Sequence, residues 1–512
     1  MTVRAHIITT AMPNRTPVFL ALLACAACSH DVTSPLRGTV AVAIAGGGQR
    51  DTIDAYLNQA LVLQVTGTSN ISNRLLQIAS ITYDTTSAHP PCYILITIPN
   101  SDRDQLTCGL VQPTNSKGQL DVSIHFAGVA TTHAGLIVTV LDSAGGAPAG
   151  AADTIHFTIE PGNAVGITAS PKDSAMYVSG LTLHGFVHDR GNNPRSDAVT
   201  YTKLSGPVAL SGSQVSATTF GRAAIMVSSG SWVDTTYLSI VPNGTITFAS
   251  PSLNGIAILG LDGSNYHLLP LGNLSAAGTT WAPNGASIAF EDDPLAYHRI
   301  SIIDTTGNSR TADTTALDAT AFEYQARYSR DGQWLYFTRL SMTGNTYSQL
   351  WRVGANASAA TRVPSTDPQS YYNYNASPSP DGSTLVYDGA PSGVPSTIRM
   401  VNVTTGAVTN TGVTGDAPRW APQGQTIAFL NTPPFEPAGP LTVMQSDGSN
   451  IRSLTPNGYY QYDIDWSPDG QWLIAINAVT GNIDVVNATS GLTLPLAFTR
   501  FAVSVSWRQT PH

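Results

Sequence analysis

The sequence predicts an all-β protein: two β-sandwich regions followed by a C-terminal six-bladed β-propeller. Three observations predict it. Only 11% of the 512 residues are charged, while Gly and Pro abound. Frequent β-branched residues between turn formers favour short strands. Short alternating apolar runs fill the first half of the chain. From about Asn243 onward one core returns five times, at a spacing that suits a four-stranded propeller blade.

The N-terminus reads as an export signal. Arg4 and Arg15 precede the apolar run Val18 to Ala24, which is too short to span a bilayer. It ends in "LLACAACS", which resembles the processing box of bacterial lipoproteins. The resemblance implies that residues 1–28 hold a signal and a lipidated Cys. That Cys is Cys25, led by Leu22-Leu23-Ala24, or Cys28, led by Ala26-Ala27 and followed by Ser29. Ordinary cleavage is the alternative, since "ACA" also has the small-x-small form. Either way the chain is expected in the bacterial envelope, in the periplasm or at the cell surface. A lipid anchor would be its link to the membrane.

Residues 36–161 read as the first β-sandwich. "TVAVAIAG", "LVLQV", "YILITI", "LDVSIHFAG", "LIVTVLD" and "TIHFTIEP" alternate between turn residues. Cys92 and Cys108 are expected to form a disulfide across a hairpin, as cysteine pairs in exported chains do. A loop of that length stabilises by roughly 3 kcal/mol. A redox or metal role is disfavoured, with no C-x-x-C and no neighbouring His.

Residues 162–242 read as a second sandwich. "VGITASPKDSAMYVSGLTLHGFVHDRGNNP", then "AVTYTKLSG" and "FGRAAIMVSSGSWVDTTYLSIVP", resembles the bacterial Ig-like repeat. The first sandwich reads as a possible diverged copy. His184 and His188 share a strand face but lie about 13 Å apart at strand rise, too far to grip one metal.

Residues 243–510 carry the repeat. Its cores are "TTWAPNGASIAF", "ARYSRDGQWLYF", "ASPSPDGSTLVY", "PRWAPQGQTIAF" and "IDWSPDGQWLIA", with glycines at 285, 332, 382, 424 and 470. Ser-Pro-Asp-Gly puts Pro second in a type I turn and Gly fourth, so each core is a strand, a tight turn and a strand. A third strand and a Gly turn come next, as in "SDGSNIRSLTP". The set resembles the TolB-type propeller family, whose repeats read W-S-P-D-G-x-x-I-A-F. That resemblance implies a propeller and protein partners in the periplasm. At the ends, "GTITFAS" (Gly244 to Ser250) lacks a first strand and "FAVSVSW" (Phe501 to Trp507) is a first strand alone. Paired, they complete a sixth blade and remove the exposed edges.

The tight turns share one face of a propeller, and the long loops between second and third strands and between blades share the other. Recognition is expected on the long-loop face. Phe322 and Tyr324, Tyr372 and Tyr374, and Tyr460 and Tyr462 lead into innermost strands there. Aligned on the cores, the three pairs coincide and are expected to ring the channel mouth. One ring of each pair is expected inward and the other at the rim. Tyr suits binding, with apolar area and a polar tip, although packing between blades is the competing role.

Other function classes find less support. A net charge of -9, with Lys only at positions 117, 172 and 203, argues against nucleic acid. There is no G-x-S-x-G elbow. Asp292 and Asp293, with His298 nearby, are the best acidic cluster on the loop face, and together with Glu323 and Asp463 they are the carboxylates the sequence offers at the channel mouth. No catalytic residue, metal or cofactor is expected. The expectation is a binding platform for an envelope protein or glycan. The alternative is a propeller hydrolase or lyase acting on polysaccharide or peptide at the channel mouth.

Overall fold

The structure is a computed structural model. It describes residues 39–67, 71–83, 91–98, 106–142, 147–271, 275–293, 299–312, 321–340, 347–354, 359–368, 371–434, 436, 438–499 and 501–509. Among the described residues all regular structure is strand and none is helix. Cys25, Cys28 and His298 lie outside the described residues. The chain divides into two compact units. One runs to Ala164 and takes in Asp189–Asn193; the other holds Val165–His188 and the chain from Pro194 onward.

The first unit has two sheets around one core. A four-stranded sheet runs in the order Val40–Ala45, Leu61–Thr66, Gln119–Phe126, Ile94–Thr97. A five-stranded sheet runs Arg50–Thr52, Asp153–Glu160, Thr131–Val140, Leu75–Ser80, Gly109–Pro113. Alternation places Leu61, Leu63, Val122 and Ile124 of one sheet in the same core as Ile78, Leu136, Val138 and Phe157 of the other. Cys92 and Cys108 are disulfide-bonded, with Cα atoms 5.8 Å apart. The segments it joins pair antiparallel through Ile96 and Thr107, as an arrangement across a hairpin requires. Cys92 leads into Ile94–Thr97 of one sheet and Cys108 into Gly109–Pro113 of the other, so the bond ties two sheets together.

The second unit opens with three small sheets over Gly166–Ile240, with Ile225, Leu238 and Val215 in their core. Six four-stranded antiparallel sheets come after them. Five are consecutive in sequence, with first strands Ser275–Trp281, Phe322–Tyr328, Tyr371–Pro378, Asp416–Trp420 and Tyr460–Trp466. In chain order these are the first to fifth sheets. The sixth joins both ends of this region, in the order His267–Pro270, Gly255–Gly260, Thr245–Ala249, Ser504–Trp507. Its closing register pairs Ile246 with Trp507 and Ala249 with Ser504.

First strands of consecutive sheets lie side by side, and that of the sixth touches those of both the fifth and the first, which closes a ring. Each neighbouring pair of sheets encloses its own core. Phe337 of the second sheet, for instance, packs among Ala289, Ile300 and Ile302 of the first. Ile256 and Leu269 of the sixth pack on Phe290 and Ile303 of the first. Burying each such side chain contributes about 1.5–3 kcal/mol.

The tight turns show why the core repeats. In Ser379-Pro380-Asp381-Gly382 the Gly382 N–H donates to Ser379 O at 2.9 Å and Ser379 Oγ donates to Asp381 Oδ1 at 2.6 Å. Ser467 to Gly470 repeats both bonds. Gly382 and Gly470 have φ of 71° and 66°, a region where a side chain is strained.

Candidate functional site

Each of the five consecutive first strands carries a β-bulge near its loop-face end. The bulged residue is left-handed: Gly278, Gln325, Asn375, Ala417 and Tyr462, with φ between 50° and 64°. A bulge kinks the strand and re-aims the side chains beyond it. Past the bulge, the residue just before the core aromatic or proline turns into the channel. Thr280, Arg327, Ser377, Arg419, Asp465 and Ser506, one from each sheet, line a single cavity of about 120 Å³ on the tight-turn face. These six were not among the residues expected to form a site. The available signal was the fixed place directly before Trp281, Tyr328, Pro378, Trp420, Trp466 and Trp507.

Arg327 and Arg419 are bound alike. Each donates from Nη1 to its preceding carbonyl, Ala326 O or Pro418 O, both at 2.9 Å. Each also reaches a carbonyl of the previous sheet, Thr279 O at 3.4 Å or Asn375 O at 3.2 Å. Each donates from Nη2 to Asp463 Oδ1, at 2.5 and 2.8 Å. Burial, and then the charge of Arg327, lower the Arg419 pKa to about 10. Beside them Asp465 accepts from Trp466 N, Trp507 N and Ser506 Oγ, and burial pushes its carboxyl up.

Toward the loop face these ions border a second cavity of about 300 Å³, also lined by Glu291, Gln325, Asn375 and Tyr462. Glu291 was not foreseen as a site residue. Its Oε1 accepts from Gln325 N at 2.6 Å, which satisfies a backbone donor that the bulge had turned out of the sheet. Burial raises its pKa to about 7. Gly278 makes room for it, since a Cβ there would lie 2.1 Å from Glu291 Oε1. Asp388 of the third sheet plays the same role toward the bulge of the fourth. It accepts from Ala417 N at 3.2 Å and Asn375 Nδ2 at 2.8 Å, with its pKa raised to about 8 by burial and then by Asp416.

The aromatic pairs are placed unequally. Phe322 and Tyr324 are half-buried and parallel, with centroids 6.2 Å apart and planes at 2°. Tyr372 and Tyr374 match them at 6.5 Å and 8°, and Tyr347 packs edge-on to Tyr372 at 5.0 Å. Tyr324 lies close enough to Glu291 and Tyr374 that burial and those two neighbours raise its pKa. Within these two pairs neither ring is inward while the other is at the rim. Alternation puts residues two apart on one face, so both rings share it.

The third pair departs differently. Tyr460 is 2% exposed and donates to Asp484 Oδ2 at 3.0 Å, while Tyr462 is 60% exposed. The alignment on the cores is one residue out here. The fifth sheet's bulge holds one more residue than the second's, so Tyr460 takes the buried place that Glu323 and Asn373 hold. The other acids are mostly structural. Glu323 binds Arg339 at 2.6 Å and accepts from Ile300 N at 3.1 Å. Asp292 accepts from Ser301 Oγ at 3.2 Å. Among the described residues no three His, Cys, Asp or Glu are grouped to hold a metal.

No protein-family profile matches this sequence, and no curated protein matches it. Solved structures of similar fold include TolB from Acinetobacter baumannii, with 15% identity, a TM-score of 0.43, and coverage of 61% of this chain and 83% of that one. A structure assigned as TolB from Agrobacterium tumefaciens has 15% identity and a TM-score of 0.39, over 51% of this chain and 91% of that one. Kuenenia stuttgartiensis hydrazine synthase has 12% identity and a TM-score of 0.41, over 53% of this chain and 48% of that one.

Proposed function

We propose that this chain is a lipid-anchored envelope protein that binds a protein or glycan without catalysis. In this reading Cys25, or Cys28, carries the lipid. Residues 36–161 and 162–242 are sandwich domains, at least the second Ig-like, and the six sheets are the blades of a propeller. The loop face of the propeller is the binding surface.

One observation carries the binding reading. Phe322 and Tyr324, and Tyr372 and Tyr374, present parallel, half-buried rings, and Tyr462 is exposed. Rings held by their neighbours lose little freedom on binding, and such aromatics are frequent anchors of recognition. The test is cross-linked capture from envelope extract by the full chain and by a Tyr324→Ala, Tyr374→Ala variant. Partners held by the wild type and lost by a variant of unchanged melting temperature support the reading. Equal capture by both sinks it. Mass spectrometry of the native N-terminus tests the anchor, and an unmodified chain starting near Ala27 removes it.

A second reading, a hydrolase or lyase, draws on Glu291 and Asp463, two carboxyl groups that line the loop-face cavity. With a pKa of about 7 Glu291 suits an acid or base role. Polysaccharide turnover that disappears in Glu291→Gln would favour this reading over the platform.

A further inference from the structure

We propose that the tight-turn end of the channel is a second binding site, for a carboxylate carried on an apolar group. Two sources share that chemistry, a free organic acid and the C-terminus of a polypeptide. This site faces away from the aromatic ledge and rests on none of its residues.

The case begins with donors. Arg327 Nε, Arg419 Nε, Trp281 Nε1 and Trp420 Nε1 are buried and make no hydrogen bond within the protein. The four residues that carry them all line the 120 Å³ cavity. Arg327, Arg419 and Trp281 are 6%, 3% and 2% exposed. Folded proteins pair nearly all their buried N–H groups, and guanidinium and indole donate only. Four such donors, carried by residues around one space, favour an occupant rich in acceptors.

The carboxylates in contact with these arginines and with the wall are engaged. Asp463 Oδ1 serves both guanidiniums, and Asp465 serves Ser506 and two backbone N–H groups. Charge points the same way. Arg330 also lines the cavity, and Arg508 lies over the Trp281 ring at 5.0 Å. The lining thus sets the guanidiniums of Arg327, Arg330 and Arg419 against the carboxylate of Asp465, with Asp463 bound to two of the three, so an anion is favoured over a neutral acceptor.

The rest of the wall selects the kind of anion. Trp466, Tyr328, Pro283, Pro380 and Pro422 supply rings and prolines around the donors. Inorganic phosphate would use the donors and leave this apolar wall idle. A carboxylate with an apolar tail uses both, its oxygens on the N–H groups and its tail on the rings.

Calorimetry on the full chain tests this with four probes: phenylacetate, inorganic phosphate, and a short peptide ending in Phe with a free or an amidated terminus. Saturable binding of phenylacetate, or of the free-terminus peptide but not its amide, is expected, and which of the two binds identifies the source. A Trp281→Phe, Trp420→Phe variant keeps the rings and loses both indole donors. It should weaken binding by roughly tenfold or more while its melting temperature holds, as the loss of hydrogen bonds to a charged group implies. Arg327→Gln, checked for folding in the same way, should weaken it further. The proposal is overturned if no carboxylate binds at millimolar concentration, in which case the cavity holds water only. Equal affinity for phosphate, equal affinity for the amidated peptide, or unchanged affinity in both folded variants would also overturn it.

Discussion

Arg327 and Arg419 end on the same atom. Oδ1 of Asp463 accepts from Nη2 of Arg327 at 2.5 Å and from Nη2 of Arg419 at 2.8 Å. The three residues come from the second, fourth and fifth sheets, so this one oxygen links parts of the ring that share no strand pairing. All three are buried.

Removing that oxygen leaves two buried guanidiniums facing each other. Asp463→Ala should cost about 3–5 kcal/mol, as breaking a buried ion pair from one side does. Urea unfolding measures it through the midpoint at constant slope. Replacing all three at once, by Arg327→Met, Arg419→Met and Asp463→Leu, should recover most of the loss. A single variant as stable as the wild type would show that the carboxylate is not what holds the two arginines.

Glu291 should make stability depend on pH in a definite sense. Its carboxyl goes from an ordinary value of 4.5 to about 7 on folding, because burial favours the neutral form. Between these values the folded state holds more proton than the unfolded one. Its contribution is therefore fully present below about pH 4.5 and is lost as pH rises through 7. The shift corresponds to about 3 kcal/mol. Glu291→Gln keeps the acceptor for Gln325 N and cannot ionise. Its melting temperature should fall less than that of the wild type between pH 5 and 8, and exceed it at pH 8. Parallel curves would remove Glu291 as the source.

Tyr460 and Tyr462 should separate cleanly. Tyr460→Ala opens a cavity and takes a donor from Asp484, at a cost of roughly 3–5 kcal/mol. Tyr462→Ala removes an exposed ring and should change stability by no more than about 0.5 kcal/mol. Thermal melts of the two variants decide it. Similar losses in both would contradict the offset placement.

Deleting the residues after Arg500 should take from Thr245–Ala249 one of its two partner strands and expose the side chains of the fifth and sixth sheets that pack on Val505 and Trp507. The cost expected is several kcal/mol through lost burial, together with a tendency to associate through the open edge. Equilibrium unfolding and light scattering measure the two effects. A truncated chain with the original midpoint would show that the last strand does not close the ring.

The local elements of this architecture were legible in the sequence because their causes are local. A Ser-Pro-Asp-Gly turn closes on its own hydrogen bonds, and the glycines at 285, 332, 382, 424 and 470 all have positive φ. Alternation then marks the two strands that each turn joins. The unmatched ends could also be paired from the sequence, since a first strand without a second and a second without a first leave complementary edges, and Phe248 does face Val505.

The candidate sites depended on what only the tertiary structure decides. A bulge is a choice between two backbone paths over the same residues, and one residue more or less exchanges the buried face for the exposed one. That exchange buries Tyr460, exposes Tyr462 and upsets an alignment that read them as equals of Tyr372 and Tyr374. The channel obeys the same rule across longer distances. Nothing near Arg327 in the chain announces Asp463, because each charge is satisfied only when the ring brings separate sheets together. Local hydrogen bonds and side-chain alternation determined the turns and strands, whereas charge pairing between distant sheets decided which residues meet at the centre.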